Sequence, residues 1–122
     1  MKYSRIYADQ AGESHFDDVD IEFAPVNFAP PAPPVNLSSF SPAIQYAFCS
    51  FPAGWRGDSH PVPQRQIFFI LSGEIAGQVS DGEVRHFGAG SIVLGEDTKG
   101  KGHITWVISE TDVLTALVQL PN

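Results

Sequence analysis

The sequence predicts an all-β domain, a single barrel or sandwich of short strands, and three observations predict it. No segment sustains the 3.6-residue spacing of apolar positions that a helix needs; Thr111 to Leu120 comes nearest, but it is β-branched and lacks good caps. Nine Phe, three Tyr and two Trp favour strands, while eleven Gly and ten Pro supply the turns that short strands require. Short apolar runs also recur with a turn signal between neighbours, the pattern of a sandwich or barrel.

The elements follow in order. Lys2 to Ala8 reads as a short strand, Gly12-Glu13-Ser14 as a turn, and Asp18 to Phe23 as a half-buried strand, because polar and apolar residues alternate there. Pro25 to Pro42 contains Pro30-Pro31-Ala32-Pro33-Pro34, which excludes helix and central strand and predicts an extended segment laid along the barrel wall. Ala43 to Phe51 is an aromatic strand ended by Pro52-Ala53-Gly54. Arg65 to Leu71 is the next, ended by Ser72-Gly73. Ile75 to Val79 and Val84 to Phe87 flank Asp81-Gly82, a strong hairpin signal. Ser91 to Leu94, the glycine-containing loop from Gly95 to Gly102, Ile104 to Ile108 and Val113 to Leu120 complete the set. The expected organisation is an N-terminal extension over 1–42, packed on the barrel or on a dimer partner, and a barrel over 43–122.

Length and composition bound the function. A chain of 122 residues suits one domain and buries roughly two thirds of its unfolded surface, enough for a core without staples. Hydrophobic residues at 43% and charged residues at 17% exclude a disordered tail. A net charge of −7 without a basic stripe argues against nucleic acid or an anionic membrane as partner. The one cysteine, Cys49, permits no internal disulfide and sits in an apolar run as a small core residue. Met1 to Arg5 has no apolar signal region and no run approaches a membrane span, so a cytoplasmic location is expected.

Chemistry concentrates in two stretches. In an extended chain from His60 to Gly73, alternate residues share a face, so His60, Val62, Gln64, Gln66, Phe68 and Ile70 point one way. An imidazole and two amides among apolar groups describe a pocket wall better than a solvent face. After the loop, His103 and Thr105 share one face of the following strand. Two histidines in a metal-free cavity are residue types suited to proton transfer. Trp55 is a candidate for ligand contact, although barrel packing is the commoner role of such a residue. His15 and His86 read as surface histidines, Arg65 as outer wall, Asp58 as a turn residue able to orient His60, and Glu96, Asp97, Lys99 and Lys101 as a solvated loop or a lid.

These stretches resemble the two motifs of the cupin superfamily. The first motif there runs glycine, His-x-His, Glu, then a strand ending in glycine; the second runs glycine, an apolar strand, a turn and a closing His. Here Gly54 or Gly57, His60 and the strand from Ile67 to Gly73 match the first, while Gly90, Ile92-Val93-Leu94 and His103 match the second. The resemblance covers Ala43 to Leu120 and implies a jelly-roll barrel with a small-molecule pocket inside. It also implies one divalent metal, but two of the four ligand positions are changed: Val62 stands at the second His and Gln66 at the Glu. A weak site of His60, Gln66 and His103 is what remains, because an amide brings a dipole where a carboxylate brings charge.

The functional expectation is therefore an enzyme acting on a small organic molecule by metal-assisted or His acid–base chemistry, such as an isomerase, lyase, cyclase or oxygenase. His60 and His103 are the catalytic candidates, and Gln64, Gln66, Phe68, Thr105 and Trp55 the substrate contacts. The alternative is a binding protein with a vestigial metal site. The resemblance further implies a homodimer, since an unpaired N-terminal edge invites a second copy.

Overall fold

A computed structural model describes residues 1–122, and every regular element in it is a strand. No helix is long and apolar enough to cross a membrane. The eleven strands are β1 (Lys2–Ala8), β2 (Ser14–Asp20), β3 (Ala24–Val26), β4 (Val35–Leu37), β5 (Gln45–Phe51), β6 (Gln66–Ser72), β7 (Ile75–Val79), β8 (Val84–Phe87), β9 (Ile92–Gly95), β10 (His103–Val107) and β11 (Val113–Gln119). From β5 onward they fall within two residues of the sequence expectation, because each is bounded by a turn residue with a local cause. The Asp81-Gly82 hairpin is one example: Gly82 takes φ +103°, where a side chain would be strained.

Six strands form one sheet in the order β2-β1-β9-β6-β11-β5, and three form a second in the order β10-β7-β8. Both sheets contribute to one core: Ile6, Phe16, Ile70, Val93 and Val113 from the large sheet meet Ile75, Val79, Phe87 and Val107 from the small one. The phenyl rings of Phe16 and Phe87 pack edge to face across the gap, with centroids 6.1 Å apart.

The first two strands depart from the expected division at residue 42. β1 lies inside the large sheet, antiparallel to β2 and parallel to β9, with Ser4, Arg5 and Ile6 opposite Val93, Leu94 and Gly95. Ile6 and Phe16 are core residues, so residues 2–20 are part of the barrel wall and not an extension of it. β2 also begins four residues earlier than alternation suggested. Phe16 points inward, and the more regular alternation after Asp18 runs off the end of the sheet. Arg5 fixes this corner by pairing with Asp17 and reaching Glu96, which also accepts from Arg65 at 2.6 Å. Asp17 and Arg5 each stabilise the other's charged form, so the Asp17 carboxyl lies below the usual carboxylate range.

The Pro-rich segment does not lie along the wall. Glu22 to Asn36 are all exposed, and β3 pairs only with β4 in a separate two-stranded ribbon. Proline cannot donate to a ladder, which keeps Pro25 out of either main sheet and confines it to this short edge pair.

Candidate functional site

The site begins with a backbone contact. His60 and His103 form an isolated antiparallel bridge, each N–H donating to the other's carbonyl at 3.1 Å. Gly102 permits this approach. It has φ +74°, and a Cβ there would stand 2.1 Å from the carbonyl carbon of His60. The two imidazoles, 43 positions apart in the chain, thus come together with ring centroids 5.3 Å apart.

They open onto a cavity of about 120 Å³ between the two sheets. Its wall is largely apolar, built from Ile6, Phe51, Trp55, Val62, Phe68, Ile70, Ile75, Phe87 and Val93, with His60, Gln66, His103, Thr105 and Thr115 as the polar members. The predicted period-two face is therefore real for His60, Val62, Gln66, Phe68 and Ile70. Trp55 also reaches the cavity, packed edge-on against Phe51 at 4.9 Å, and Gly57 leaves room for its indole. Thr105 lies on the wall beside His103, as expected.

Gln64 does not join them. Its amide donates to the Leu120 carbonyl at 2.6 Å, outside the cavity, so it ties the chain terminus to the barrel and is corrected from substrate contact to structural tie. The strand begins only at Gln66, and Pro61 and Pro63 break the regular alternation before it. Arg65 lies outside as expected, paired with Glu96.

The two histidines are held differently. His60 is exposed at the mouth, with Nδ1 2.8 Å from the backbone carbonyl of Asp58; the Asp58 carboxylate plays no part. His103 is 11% exposed, and its Nδ1 lies 2.6 Å from Oδ2 of Asp97. Asp97 is fully buried, and its other oxygen, Oδ1, has no hydrogen-bond partner. A buried carboxylate with a free oxygen is costly, and such groups in native proteins call for a functional or structural explanation. A carboxylate on Nδ1 fixes the imidazole in the tautomer with Nδ1 protonated and its orientation, leaving Nε2 as the working nitrogen. Neither Nε2, of His60 or of His103, has a partner within the chain.

Sequence reasoning placed Asp97 in a solvated loop. One signal for it exists: Val93, Gly95 and Asp97 follow one another at a spacing of two, and the first two face the cavity. The backbone of Asp97 is also fixed, since its carbonyl accepts from Val62 at 3.0 Å.

The residues present do not fit a divalent metal. No group of three or more His, Cys, Asp or Glu side chains is arranged to hold a metal ion. Val62 is a buried wall residue, and the Gln66 amide oxygen accepts from Gln119 at 3.4 Å. Asp97, the one nearby carboxylate, stands behind His103. Two neutral imidazoles and an amide bring no charge to a dication.

The other histidines are surface groups of unequal kind. His86 is 62% exposed beside Glu74. His15 is clasped by two carboxylates, Asp9 at Nε2 (2.7 Å) and Asp81 at Nδ1 (2.8 Å), and these hydrogen bonds raise its pKa above the ordinary imidazole value.

Two facing sheets around an internal cavity, with the two motif histidines meeting at its mouth, define a cupin-type barrel. The comparisons agree on the fold. The cupin domain of Cnp3 from Schizosaccharomyces pombe superposes with a TM-score of 0.54 over 89% of this chain and 73% of that one, at 16% identity. A Cupin 2 conserved barrel domain protein from Salinispora arenicola superposes with a TM-score of 0.52 over 83% and 76%, at 17% identity. No family model matches the sequence, and no curated protein matches it. The likeness is one of fold alone.

Proposed function

We propose that this cupin-type barrel is an enzyme that binds a compact, mostly apolar carbonyl compound in its cavity and moves a proton on it with His103. The observation that carries this reading is the 2.6 Å contact between His103 Nδ1 and the fully buried Asp97. Cavity size supports the substrate class. An apolar cavity of about 150 Å³ accommodates benzene, so one of about 120 Å³ takes roughly five or six non-hydrogen atoms.

The steps use only the chain's own groups. Nε2 of His103 takes a proton from the carbon beside the carbonyl, and the C–H electron pair moves into the carbonyl to give an enolate. The Thr105 hydroxyl and the Gln66 amide N–H are the donors available to that oxygen. The imidazolium then gives a proton back: to the same carbon after trading its proton with solvent, which is an exchange, or, where the compound carries a β,γ double bond, to the γ-carbon as the enolate oxygen's electron pair re-forms the carbonyl, which is an isomerisation. Asp97 stabilises the imidazolium formed between the two transfers. His60 at the mouth orients the entering molecule.

Incubating the protein with a panel of compact ketones and aldehydes in D2O, followed by proton NMR, tests this. The expected result is protein-dependent exchange of the carbon-bound proton in at least one compound, lost in His103→Ala. A second reading, a binder without turnover, is favoured by the apolar wall; ligand-induced shifts with no exchange would select it. Neither shifts nor exchange across the panel would overturn both.

A further inference from the structure

Three glutamines stand side by side in one row of the large sheet. Gln45 of β5 pairs with Gln119 of β11, and Gln119 pairs with Gln66 of β6. The row runs on through Gly95 and Ile6, both on the cavity wall. Directly opposed residues of neighbouring strands share a face, and their side chains can touch. These do: Gln45 Nε2 donates to Gln119 Oε1 at 2.6 Å, and Gln119 Nε2 donates to Gln66 Oε1 at 3.4 Å. The chain of amides runs from solvent inward, from exposed Gln45 through half-buried Gln119 to buried Gln66. Only Gln66 lines the cavity.

Such a chain has a direction, and the direction matters most at its inner end. A side-chain amide carries one acceptor and one donor group of nearly equal size, so half a turn about its last bond exchanges them. Gln66 Oε1 is taken by Gln119, which leaves Nε2 as the group available to the cavity; it donates to nothing in the chain. Gln66 cannot turn alone, because its N–H groups would then meet those of Gln119. Gln119 cannot turn alone either, because Gln45 donates to its oxygen. Reversal therefore takes all three amides together. At the exposed end water satisfies either direction, whereas an unpaired polar group at the buried end is costly. Gln66 also stands where the cupin motif has Glu. A carboxylate can only accept, but this amide can donate.

We infer that Gln119 and Gln45 are positioning residues that hold Gln66 as a hydrogen-bond donor to the cavity, and so select molecules with an oxygen acceptor over molecules of the same size that only donate. The inference rests on the reading of the cavity as a carbonyl site. It adds a specificity device that lies outside the cavity wall, since neither Gln45 nor Gln119 lines it. A site whose buried polar group points the wrong way for a ligand leaves both groups unpaired, which is how hydrogen-bonding sites discriminate.

Two uncharged probes of the size the cavity takes test it: cyclopentanone, which only accepts, and pyrrole, which only donates. The readout is the ratio of their affinities by NMR titration at neutral pH. Gln45→Glu can only accept from Gln119, so it reverses the row and turns Gln66 Oε1 inward. The ratio should move about tenfold toward pyrrole, with β-type circular dichroism retained because position 45 is exposed. Gln119→Glu should move it the same way. Gln45→Lys can only donate, holds the observed direction, and should not move the ratio toward pyrrole. An unchanged ratio in folded Gln45→Glu would overturn the inference, and so would a shift toward pyrrole in Gln45→Lys. Neutron diffraction from crystals grown in D2O reads the row without any ligand. Deuterons are expected on the Gln66 atom that faces the cavity; deuterons on the atom that faces Gln119 would also overturn the inference. Binding of neither probe by the wild type strikes the carbonyl reading instead, and the neutron pattern still decides the direction of the row.

Discussion

Two Asp–His constellations in this barrel use the same residue types at nearly the same distances and do different things. At the mouth, Asp97 holds one nitrogen of His103 at 2.6 Å and leaves the other facing a cavity. At a neighbouring turn, whose Gly12 and Ser14 hydrogen-bond to Lys101 and Gly102, Asp9 and Asp81 take both nitrogens of His15, at 2.7 and 2.8 Å. An imidazole with both nitrogens donating is a charged clip between two loops. With one nitrogen free in an apolar cavity it can pass a proton. The difference lies in the count of partners and in burial, since Asp97 is fully buried and the His15 cluster is solvent-facing.

The largest expected effect breaks the comparison on the His103 side. His103→Ala should reduce proton exchange by about 10²–10⁴-fold, the usual contribution of a positioned acid–base group, as read by NMR. Asp97→Asn keeps the shape and should lose much of the same rate in the same assay by releasing the tautomer. His103 has no second carboxylate to compensate, whereas His15 has two.

Gly102→Ala attacks the geometry beneath the site. A Cβ at φ +74° and 2.1 Å from His60 forces the bridge apart, which should cost about 2–4 kcal/mol in denaturant unfolding. Exchange activity should fall with it, while His15→Gln leaves activity intact.

On the other side, His15→Gln should change stability in a pH-dependent way. The folded-state pKa of His15 is raised, so its contribution is complete below about 6.5 and fades as pH rises through the folded value. Asp9 and Asp81 are lowered, so theirs is complete above about 3.8 and fades as pH falls through their folded values. Thermal melts should therefore show the largest gap between wild type and His15→Gln between these limits, and little gap in mild alkali. A gap that grows above neutral pH would contradict the clip.

The smallest effect sharpens the boundary of the site. Gln64→Ala should leave ligand-induced NMR shifts unchanged, because its amide faces Leu120, whereas Gln66→Ala should weaken them.

Much of this was legible in the chain. Turn residues bound the strands from β5 onward, and His60 and His103 stood out by type and position. Gln64 misled because Pro61 and Pro63 break the alternation that put it inward. Asp97 was hidden because its neighbours Glu96 and Lys99 are those of a solvated loop. β1 was read as a strand at its observed bounds, but its place inside the sheet was hidden, because pairing with β9, some ninety residues away, leaves no local mark.

The sequence by itself determined the all-β class, the turns and the two histidines that meet, since periodicity and glycine conformation are local properties. Only the tertiary structure decided that Asp97 stands behind His103, that β1 is an inner strand and that the Pro-rich arm is left bare. Those outcomes depend on which distant segments share a register and on what the core excludes from water, and neither is written in any short stretch of residues.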